Sequence, residues 1–196
     1  MTHRNLRIIL WLLVAIAAVG GMVLALQRRS SSSSQALATI GGPFTLTGSD
    51  GKPFPSARLT GRPAAIFFGF TNCPDICPTT LARLVKLRRE LGQGDEALSI
   101  VFITVDPERD GPADVGSYAS LFGAPVIGLT GSPADIERVK KQFGVFSQKV
   151  EQPGGGYSVD HTASVFLMDR NGHFVATLSP EEGDGVAFEK LKRLKV

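Results

Sequence analysis

Several features common in proteins are scarce or absent here. Only two cysteines occur among 196 residues, so no further cysteine can complete the four protein ligands that structural zinc normally requires. No G-x-G-x-x-G or Walker-type loop occurs, and no Ser-His-Asp constellation is evident, which removes the common nucleotide-binding and hydrolase interpretations. Internal repeats are also absent, so one folded domain with an appended segment is the economical organisation.

Acidic residues are missing from the first 42 positions, where Arg4, Arg7, Arg28 and Arg29 are the only charged residues. The rest of the chain therefore has 17 of the 21 Lys and Arg against all 18 Asp and Glu, a net charge of −1. A near-neutral domain with both signs interspersed has no electrostatic footprint for DNA or RNA. The overall charge of +3 belongs to the N-terminal segment, and we expect no nucleic-acid partner.

A long apolar run, Ile8 to Leu26, contains no charged residue. As a helix with a rise of about 1.5 Å per residue it would extend roughly 28 Å, close to the hydrocarbon thickness of a bilayer. The competing interpretation is a cleaved signal peptide, because Ala36-Leu37-Ala38 resembles a cleavage site. The apolar core of a signal peptide is shorter, at about 7–15 residues, and Arg28 and Arg29 precede the candidate site. The pattern favours an uncleaved N-terminal transmembrane helix.

The predicted organisation is a tail and anchor in residues 1–29, a Ser-rich linker in residues 30–42, and a folded domain in residues 43–196. Five consecutive serines, Ser30 to Ser34, are typical of a flexible tether. Two arginines flank each side of the apolar run, so the positive-inside rule gives no clear majority. The short N-terminal tail favours a single pass through the inner (cytoplasmic) membrane, with the domain facing the periplasm.

Apolar patterning within the domain predicts an α/β fold with a mixed sheet flanked by helices. The continuous runs Ala64–Phe70 and Leu98–Val105 indicate central strands covered on both faces. Asp50-Gly51 and Asn171-Gly172 are hairpin signals, and prolines restrict the second arm of the first hairpin to a sheet edge. The remaining predicted elements are a helix through Leu81–Leu91, a helix Ala113–Phe122, a strand Val126–Leu129, a helix Pro133–Phe143, strands Ala163–Met168 and His173–Leu178, and a helix Gly185–Leu194.

Both cysteines lie in one short segment, T-N-C-P-D-I-C-P, where a central strand leads into a helix. Each is followed by a proline, which biases it towards extended backbone, and Pro78 suits the first helical turn with Cys77 just outside it. The helix dipole is expected to lower the pKa of a thiol at that position. A structural disulfide closing so short a loop would contribute little stability. Two thiolates here can instead bond to each other or bind one soft metal ion.

The three histidines differ in their surroundings. His3 lies in the short N-terminal tail and His173 flanks a predicted hairpin, so a surface role is expected for both. His161 is predicted to lie in the loop that directly precedes the predicted strand Ala163–Met168. Residues 154–156 are three glycines, which suggest that this loop is able to move. Taken alone, such a histidine is more often structural than a ligand. Nothing in its spacing brings it to the cysteines, the nearer of which is 84 positions upstream.

Four segments together resemble the Sco (SenC) family of copper-binding, thioredoxin-like proteins. The resemblance covers the domain from roughly residue 43 to the end, and the cysteines and the histidine show no departure from the family pattern. The C-x-x-x-C spacing alone is a weak signal, whereas four segments in order are highly specific. They are Gly69-Phe-Thr-Asn-Cys-Pro-Asp-Ile-Cys-Pro78, Thr104-Val-Asp-Pro-Glu-Arg-Asp110, Gly128-Leu-Thr-Gly131, and Val159-Asp-His-Thr162 followed by Leu167-Met-Asp169.

The resemblance implies a thioredoxin-like fold in which His161 joins Cys73 and Cys77 as the third ligand of a copper ion. Two thiolates and one imidazole are a soft donor set that suits Cu(I), and the resemblance implies that Cu(II) is accepted too. A zinc site with an open water position is the alternative metal interpretation. The implied function is a copper metallochaperone for cytochrome c oxidase, with the copper-site subunit of the oxidase and a thiol reductase as partners.

Other functions use the same residues. A thiol–disulfide oxidoreductase would need Cys73 and Cys77 as redox-active thiols but not His161. A peroxiredoxin-like enzyme is disfavoured, because that family expects a threonine three residues before the reactive cysteine, where Phe70 and Pro74 stand. A copper-responsive sensor is a fourth hypothesis. Asp75 and Asp160 are expected to be solvated carboxylates, with a role near the metal or in docking as the alternative.

Overall fold

The computed structural model describes Gly20, Met22, residues 40–92 and residues 94–194. Gly20 and Met22 belong to one compact unit, Met1–Ala38, and all other described residues belong to a second, Thr39–Val196. Within the described residues, no helix is long and apolar enough to span a membrane. The predicted anchor at residues 8–26 lies, apart from Gly20 and Met22, outside the described residues, as does the predicted linker up to residue 39.

The described part of the second unit is built on a mixed sheet of seven strands: β1 Thr45–Gly48, β2 Pro53–Pro55, β3 Ala64–Gly69, β4 Ser99–Thr104, β5 Ile127–Thr130, β8 Val165–Met168 and β9 Phe174–Leu178. Their order in the sheet is β2-β1-β5-β4-β3-β8-β9. Strands β3, β4 and β5 are parallel to one another, and the flanking pairs are antiparallel. This confirms the predicted mixed sheet.

The two central strands occupy the middle of the core, as their unbroken apolar runs predict. Every residue of β3 and of β4 is buried, because helices and loops cover both faces of the sheet at this point. The strands pair in parallel from Ala64 opposite Ser99 to Gly69 opposite Thr104. Their carboxyl ends therefore meet at one edge of the sheet, and the segments that follow Gly69 and Thr104 lie side by side.

In the described part of the second unit, four α-helices connect or follow these strands: α1 Ile76–Glu90, α2 Pro112–Ser120, α3 Pro133–Phe143 and α4 Asp184–Arg193. Helix α1 buries a stripe that includes Cys77, Leu81 and Leu84, at the spacing of one helical face. Helix α3 has the bounds that the sequence predicts. Its cap residue Ser132 accepts a hydrogen bond from the Asp135 N–H, and Gly144 ends it with a left-handed φ of 66°.

The two predicted hairpins are confirmed. Strand β2 lies at the edge of the sheet. Its two prolines are tolerated there because a proline, which has no N–H group, would remove a hydrogen bond from the interior of a sheet. The β8–β9 turn is held by the Asp169 carboxylate, which accepts the N–H groups of Asn171 and His173 at 2.8 Å each. Gly172 supplies the positive φ of 80° that such a turn needs.

A third hairpin was not predicted. Strands β6 (Ser147–Glu151) and β7 (Tyr157–His161) form a separate two-stranded sheet, and the glycines at 154–156 lie in its turn. The prediction that His161 lies in a loop is therefore wrong, because it is the last residue of β7. Polar residues such as Gln148 and Asp160 alternate weakly with apolar ones in these strands, so the strand period is hard to recognise.

Candidate metal centre

Cys73, Cys77 and His161 converge at the carboxyl edge of the central strands. Among the described residues they are the one group of three or more histidine, cysteine and acidic side chains placed to hold a metal ion. Their two sulfur atoms and a ring nitrogen all lie within 4.8 Å of one another. Cys77 Sγ and His161 Nε2 are 3.4 Å apart. The structure thus brings together the three residues that the resemblance names.

The cysteine turn differs from the prediction in one respect. Helix α1 begins at Ile76 with Asp75 as its cap residue, so Cys77 lies inside the first turn and not just before the helix. The proline that follows Cys77 does not prevent this, because the first four N–H groups of a helix have no partner within the helix, and Pro78 occupies one of those positions. Cys73 precedes the helix, and its N–H donates to the Phe70 carbonyl at 3.2 Å.

The predicted lowering of the thiol pKa by the helix dipole is wrong for Cys77. This residue is completely buried, and burial raises the pKa of its thiol strongly, with the neighbouring Cys73 adding to the effect. A charge in an apolar interior loses its hydration, and this effect on the pKa is larger than the lowering caused by the backbone hydrogen bond at Phe70. Cys77 is therefore a neutral thiol until a cation compensates the thiolate charge.

His161 is oriented so that one ring nitrogen is free to bind a metal. Its Nδ1 lies 3.0 Å from the Thr162 carbonyl oxygen, which can only accept, so Nδ1 holds the proton and Nε2 presents its lone pair towards Cys77. The ring packs edge-on against Phe67 and Phe70, with centroid distances of 6.0 and 5.8 Å. Burial lowers the pKa of the imidazole, which keeps it in the neutral form that binds metals.

Gly69, the last residue of β3, forms the floor of the site. A Cβ atom built at this position would lie 2.8 Å from Cys77 Sγ and 2.9 Å from the Phe102 ring. Both distances are too short for ordinary van der Waals contact. The absence of a side chain at Gly69 is therefore what lets Cys77 pack directly onto the sheet.

A buried carboxylate supports the cysteine turn from the neighbouring loop. Asp110 is 1% exposed, and it accepts hydrogen bonds from the Thr71 N–H at 2.9 Å and from the Thr71 hydroxyl at 2.6 Å. The Thr104 hydroxyl at the end of β4 donates a third, at 2.6 Å. Sequence reasoning assigned no role to Asp110, although it ends one of the segments that define the resemblance. Its burial, the decisive signal, appears only in the fold.

Asp75, Asp160 and His173 are not members of this group of candidate metal ligands. Asp75 is exposed and accepts a hydrogen bond from the Thr79 hydroxyl at 3.2 Å. Asp160 is exposed on β7, opposite Gln148. His173 is paired with Asp169 on the β8–β9 turn and is largely exposed, as expected. His3 lies outside the described residues.

The arrangement supports two kinds of chemistry. The sulfur atoms of two buried cysteines and the neutral nitrogen of a half-buried imidazole are the donors that soft metal ions prefer. Both cysteines are free thiols, so the same pair can also be oxidised to a disulfide or exchange with one. Fold and site together define a thioredoxin-like protein with a cysteine–cysteine–histidine centre.

The family follows from comparison with known proteins. The SCO1/SenC family model matches residues 32–195, and the chain belongs to this family. An SCO2-like protein of Rickettsia prowazekii is 40% identical over 149 residues, which cover 73% of each chain. The structure of Bradyrhizobium japonicum ScoI with copper bound is 43% identical, covering 79% of this chain and 99% of that one with a TM-score of 0.71.

A more distant structure bears on function. BsSco, described as a member of the Sco family of cytochrome c oxidase assembly proteins with a disulfide switch, is 26% identical with a TM-score of 0.61. The alignment covers 81% of this chain and 94% of that one. Both the copper-bound relative and the disulfide switch match the two chemistries that the site supports.

Proposed function

We propose that this protein is a copper metallochaperone that binds Cu(I) and Cu(II) through Cys73, Cys77 and His161 and supplies copper to cytochrome c oxidase during assembly. The observation that carries the proposal is the convergence of two thiols and a correctly oriented imidazole within 4.8 Å. Copper in a relative with 43% identity supports the choice of metal. The oxidase as recipient is supported by the family description of BsSco.

Copper is the cargo of this site, and the donor set fits it. Two thiolates with Cu(I) give a centre of charge −1, and with Cu(II) a neutral one, so both oxidation states are electrostatically acceptable. Zinc is the weaker candidate, because the fourth protein ligand of a structural zinc site is missing from the group of three. The aromatic rings around His161 keep the site apolar, which favours a weakly hydrated ion.

Copper binding is expected to release protons. Because burial raises the pKa of Cys77, its thiol is protonated before the metal enters. A thiolate is the species that binds, so each protonated thiol gives up its proton as copper arrives. Loading should therefore require the reduced pair and become weaker at low pH, while the neutral imidazole of His161 needs no deprotonation.

Replacement of the histidine tests the ligand set. In His161→Ala, the sulfur-to-copper charge-transfer absorption of the Cu(II) form should be lost or altered, because Cu(II) prefers imidazole and more ligands than Cu(I) does. Two-coordinate Cu(I) binding and thiol exchange should persist. His173→Ala is the matched control, since that histidine is exposed on a turn and should change neither property.

The same variants test the biological role. Cells that depend on His161→Ala should lose cytochrome c oxidase activity, and added copper should restore part of it. If His161→Ala supports full oxidase assembly at low copper while Cys73→Ser and Cys77→Ser do not, then the histidine is dispensable and the copper-carrier function is wrong.

A thiol–disulfide oxidoreductase is the second candidate, favoured by the free cysteine pair and by the disulfide switch of BsSco. Cys73 and Cys77 would reduce a disulfide in the copper-site subunit, become a disulfide themselves, and be returned to thiols by a separate thiol reductase. This activity needs no histidine. Full oxidase assembly in His161→Ala cells, together with failure in Cys73→Ser and Cys77→Ser cells, would therefore favour this function.

Membrane anchoring is part of the proposal. The charge-free run Ile8–Leu26 supports an uncleaved single-pass helix in the inner membrane, followed by a linker in residues 30–42 and an exported domain in residues 43–196. Full-length protein should remain with membranes after alkaline extraction, and protease added on the periplasmic side should digest the domain. A soluble, processed form that begins near Thr39 would instead establish a signal peptide.

A further inference from the structure

The hairpin that ends in His161 is weakly packed against the rest of the domain. Of the ten residues in β6 and β7, all of them described, only Val159 is buried. A cleft of about 150 Å³ separates parts of the hairpin, including Ser147 and Lys149, from the loop that follows β4. With so little apolar burial, the hairpin's position must depend on a few specific contacts.

Arg109, in the loop after β4, makes the most extensive of these contacts. Its Nη1 donates to the Tyr157 carbonyl oxygen at 2.8 Å, and its guanidinium carbon lies 3.8 Å from the centre of the Tyr157 ring. Its Nε forms an ion pair with Asp106. The planar guanidinium thus binds the backbone and the ring of the first residue of β7 while remaining fixed to its own loop.

Asp106 and Tyr157, which both contact Arg109, also contact each other. The Tyr157 hydroxyl donates to Asp106 Oδ1 at 2.9 Å, and the Asp106 side chain is 1% exposed. The Asp106 N–H in turn donates to the Thr104 hydroxyl at 2.9 Å, at the end of β4. We call Asp106, Arg109 and Tyr157 the Tyr157 latch. A nearby Lys149–Glu108 pair at 2.5 Å is largely exposed, and such pairs contribute little.

The latch is connected to the metal centre by two routes. The first route is strand β7, which runs from Tyr157 to His161 and pairs with β6 along its full length. Because the paired strands move together, a displacement of Tyr157 is expected to displace His161. The second route is the Phe70 ring, whose centre lies 5.9 Å from the Arg109 guanidinium and 5.8 Å from the His161 ring. The cysteines are held through β3, α1 and the hydrogen bonds between Thr71 and Asp110, which use the same loop as the latch but none of its three side chains.

We propose that Asp106, Arg109 and Tyr157 are positioning residues that hold the β6–β7 hairpin where His161 Nε2 faces the two thiols. The inference rests on the proposed function, since it concerns the third ligand of that site. Loss of the latch leaves the dithiol intact and withdraws the imidazole. The site then changes from three ligands to two, a loss that affects Cu(II) much more than Cu(I).

The test compares full-length reduced protein with Arg109→Gln, Tyr157→Phe and the control Arg138→Gln, whose arginine forms an exposed pair on α3. Each is titrated with Cu(I) and with Cu(II), and the nitrogen hyperfine coupling of bound Cu(II) is recorded by electron paramagnetic resonance. Arg109→Gln should lower Cu(II) affinity by about tenfold or more and remove the nitrogen coupling. Cu(I) stoichiometry and thiol exchange should be unchanged.

The variants should also differ in how much Cu(II) affinity they lose. Tyr157→Phe loses one hydroxyl but keeps the ring under Arg109, so its Cu(II) loss should be smaller, and Arg138→Gln should have none. In a His161→Ala background, Arg109→Gln should cause no further loss, because the ligand that it positions is already gone.

Several results would overturn the inference. If Arg109→Gln retains the nitrogen coupling that His161→Ala loses, the latch does not position His161, and the three-ligand site remains supported. If His161→Ala retains that coupling as well, the proposed ligand set itself fails. Equal losses of Cu(I) and Cu(II) accompanied by a large fall in Tm would assign Arg109 a general role in folding. Should Arg109→Gln not fold, an unchanged Cu(II) affinity in Tyr157→Phe would reject the latch.

Discussion

Gly69→Ala is a severe test of how closely Cys77 packs onto the sheet. The added methyl carbon would lie 2.8 Å from Cys77 Sγ, 2.9 Å from Phe102 and 3.1 Å from Phe67. Carbon atoms in good contact are about 3.5–4.0 Å apart, so the sulfur must move by roughly 0.7 Å or more. A metal site tolerates errors of only about 0.2 Å in its ligand distances. Copper affinity should therefore fall.

The same substitution overpacks the core, which typically costs about 1–3 kcal/mol. For a domain of this size that cost corresponds to a fall in Tm of roughly 2–12 °C. Gly128→Ala separates the two effects, because its methyl would collide with the Val115 carbonyl at 2.5 Å and not with a cysteine. Gly185→Ala, with open space around it in α4, should be neutral or slightly stabilising.

The assays are thermal unfolding of the reduced metal-free protein and competitive Cu(I) titration. We expect Gly69→Ala to lose both stability and copper affinity, and Gly128→Ala to lose stability alone. A Gly69→Ala protein with unchanged Tm and unchanged copper affinity would refute the reasoning about the floor of the site.

Three further predictions concern single contacts. Thr71→Val should destabilise the protein by about 1.5–3 kcal/mol in denaturant unfolding, because the buried Asp110 carboxylate loses a hydroxyl donor, and Thr71→Ser should restore most of the loss. Iodoacetamide should modify Cys73 before Cys77 in mass spectrometry, because Cys73 keeps 9% of its surface exposed and Cys77 none. The reverse order would contradict the burial argument. Hydrogen bonds from Lys86 and Arg83 lower the pKa of Asp184, so its contribution to stability is present above its unfolded pKa of about 3.9 and is lost as the pH falls through the folded value. The Tm difference between the unsubstituted protein and Asp184→Asn should shrink below about pH 4, and a difference that is constant with pH would exclude this contribution.

Much of the fold can be predicted from the sequence because its signals are local. The apolar runs of β3 and β4, the Asn171-Gly172 turn and the Ser132 cap of α3 each specify their own element. The β6–β7 hairpin lacks such a signal, since it is mostly exposed and polar and Val159 alone anchors it in the core. Its contacts with the rest of the domain include those of Tyr157 with Arg109, in the loop after β4.

In the site, too, some features have a local sequence signal and others depend on distant parts of the chain. The cysteine pair is evident from its spacing and its place between strand and helix, whereas His161 is associated with it only through the family resemblance. The thiol pKa could not be predicted, because the helix dipole is a local feature and the burial of Cys77 depends on the whole domain. The contacts of Asp110 and Arg109 could not be predicted for the same reason. Their partners Thr71 and Tyr157 lie 39 and 48 residues away.

The central claim is that Cys73, Cys77 and His161 together bind copper. X-ray absorption spectroscopy of the reduced full-length protein loaded with Cu(II) measures that ligand set directly. We predict one copper per chain with two sulfur neighbours and one imidazole nitrogen, and the loss of that nitrogen alone in His161→Ala. A first shell of oxygen and nitrogen atoms that Cys77→Ser leaves unchanged would contradict the account.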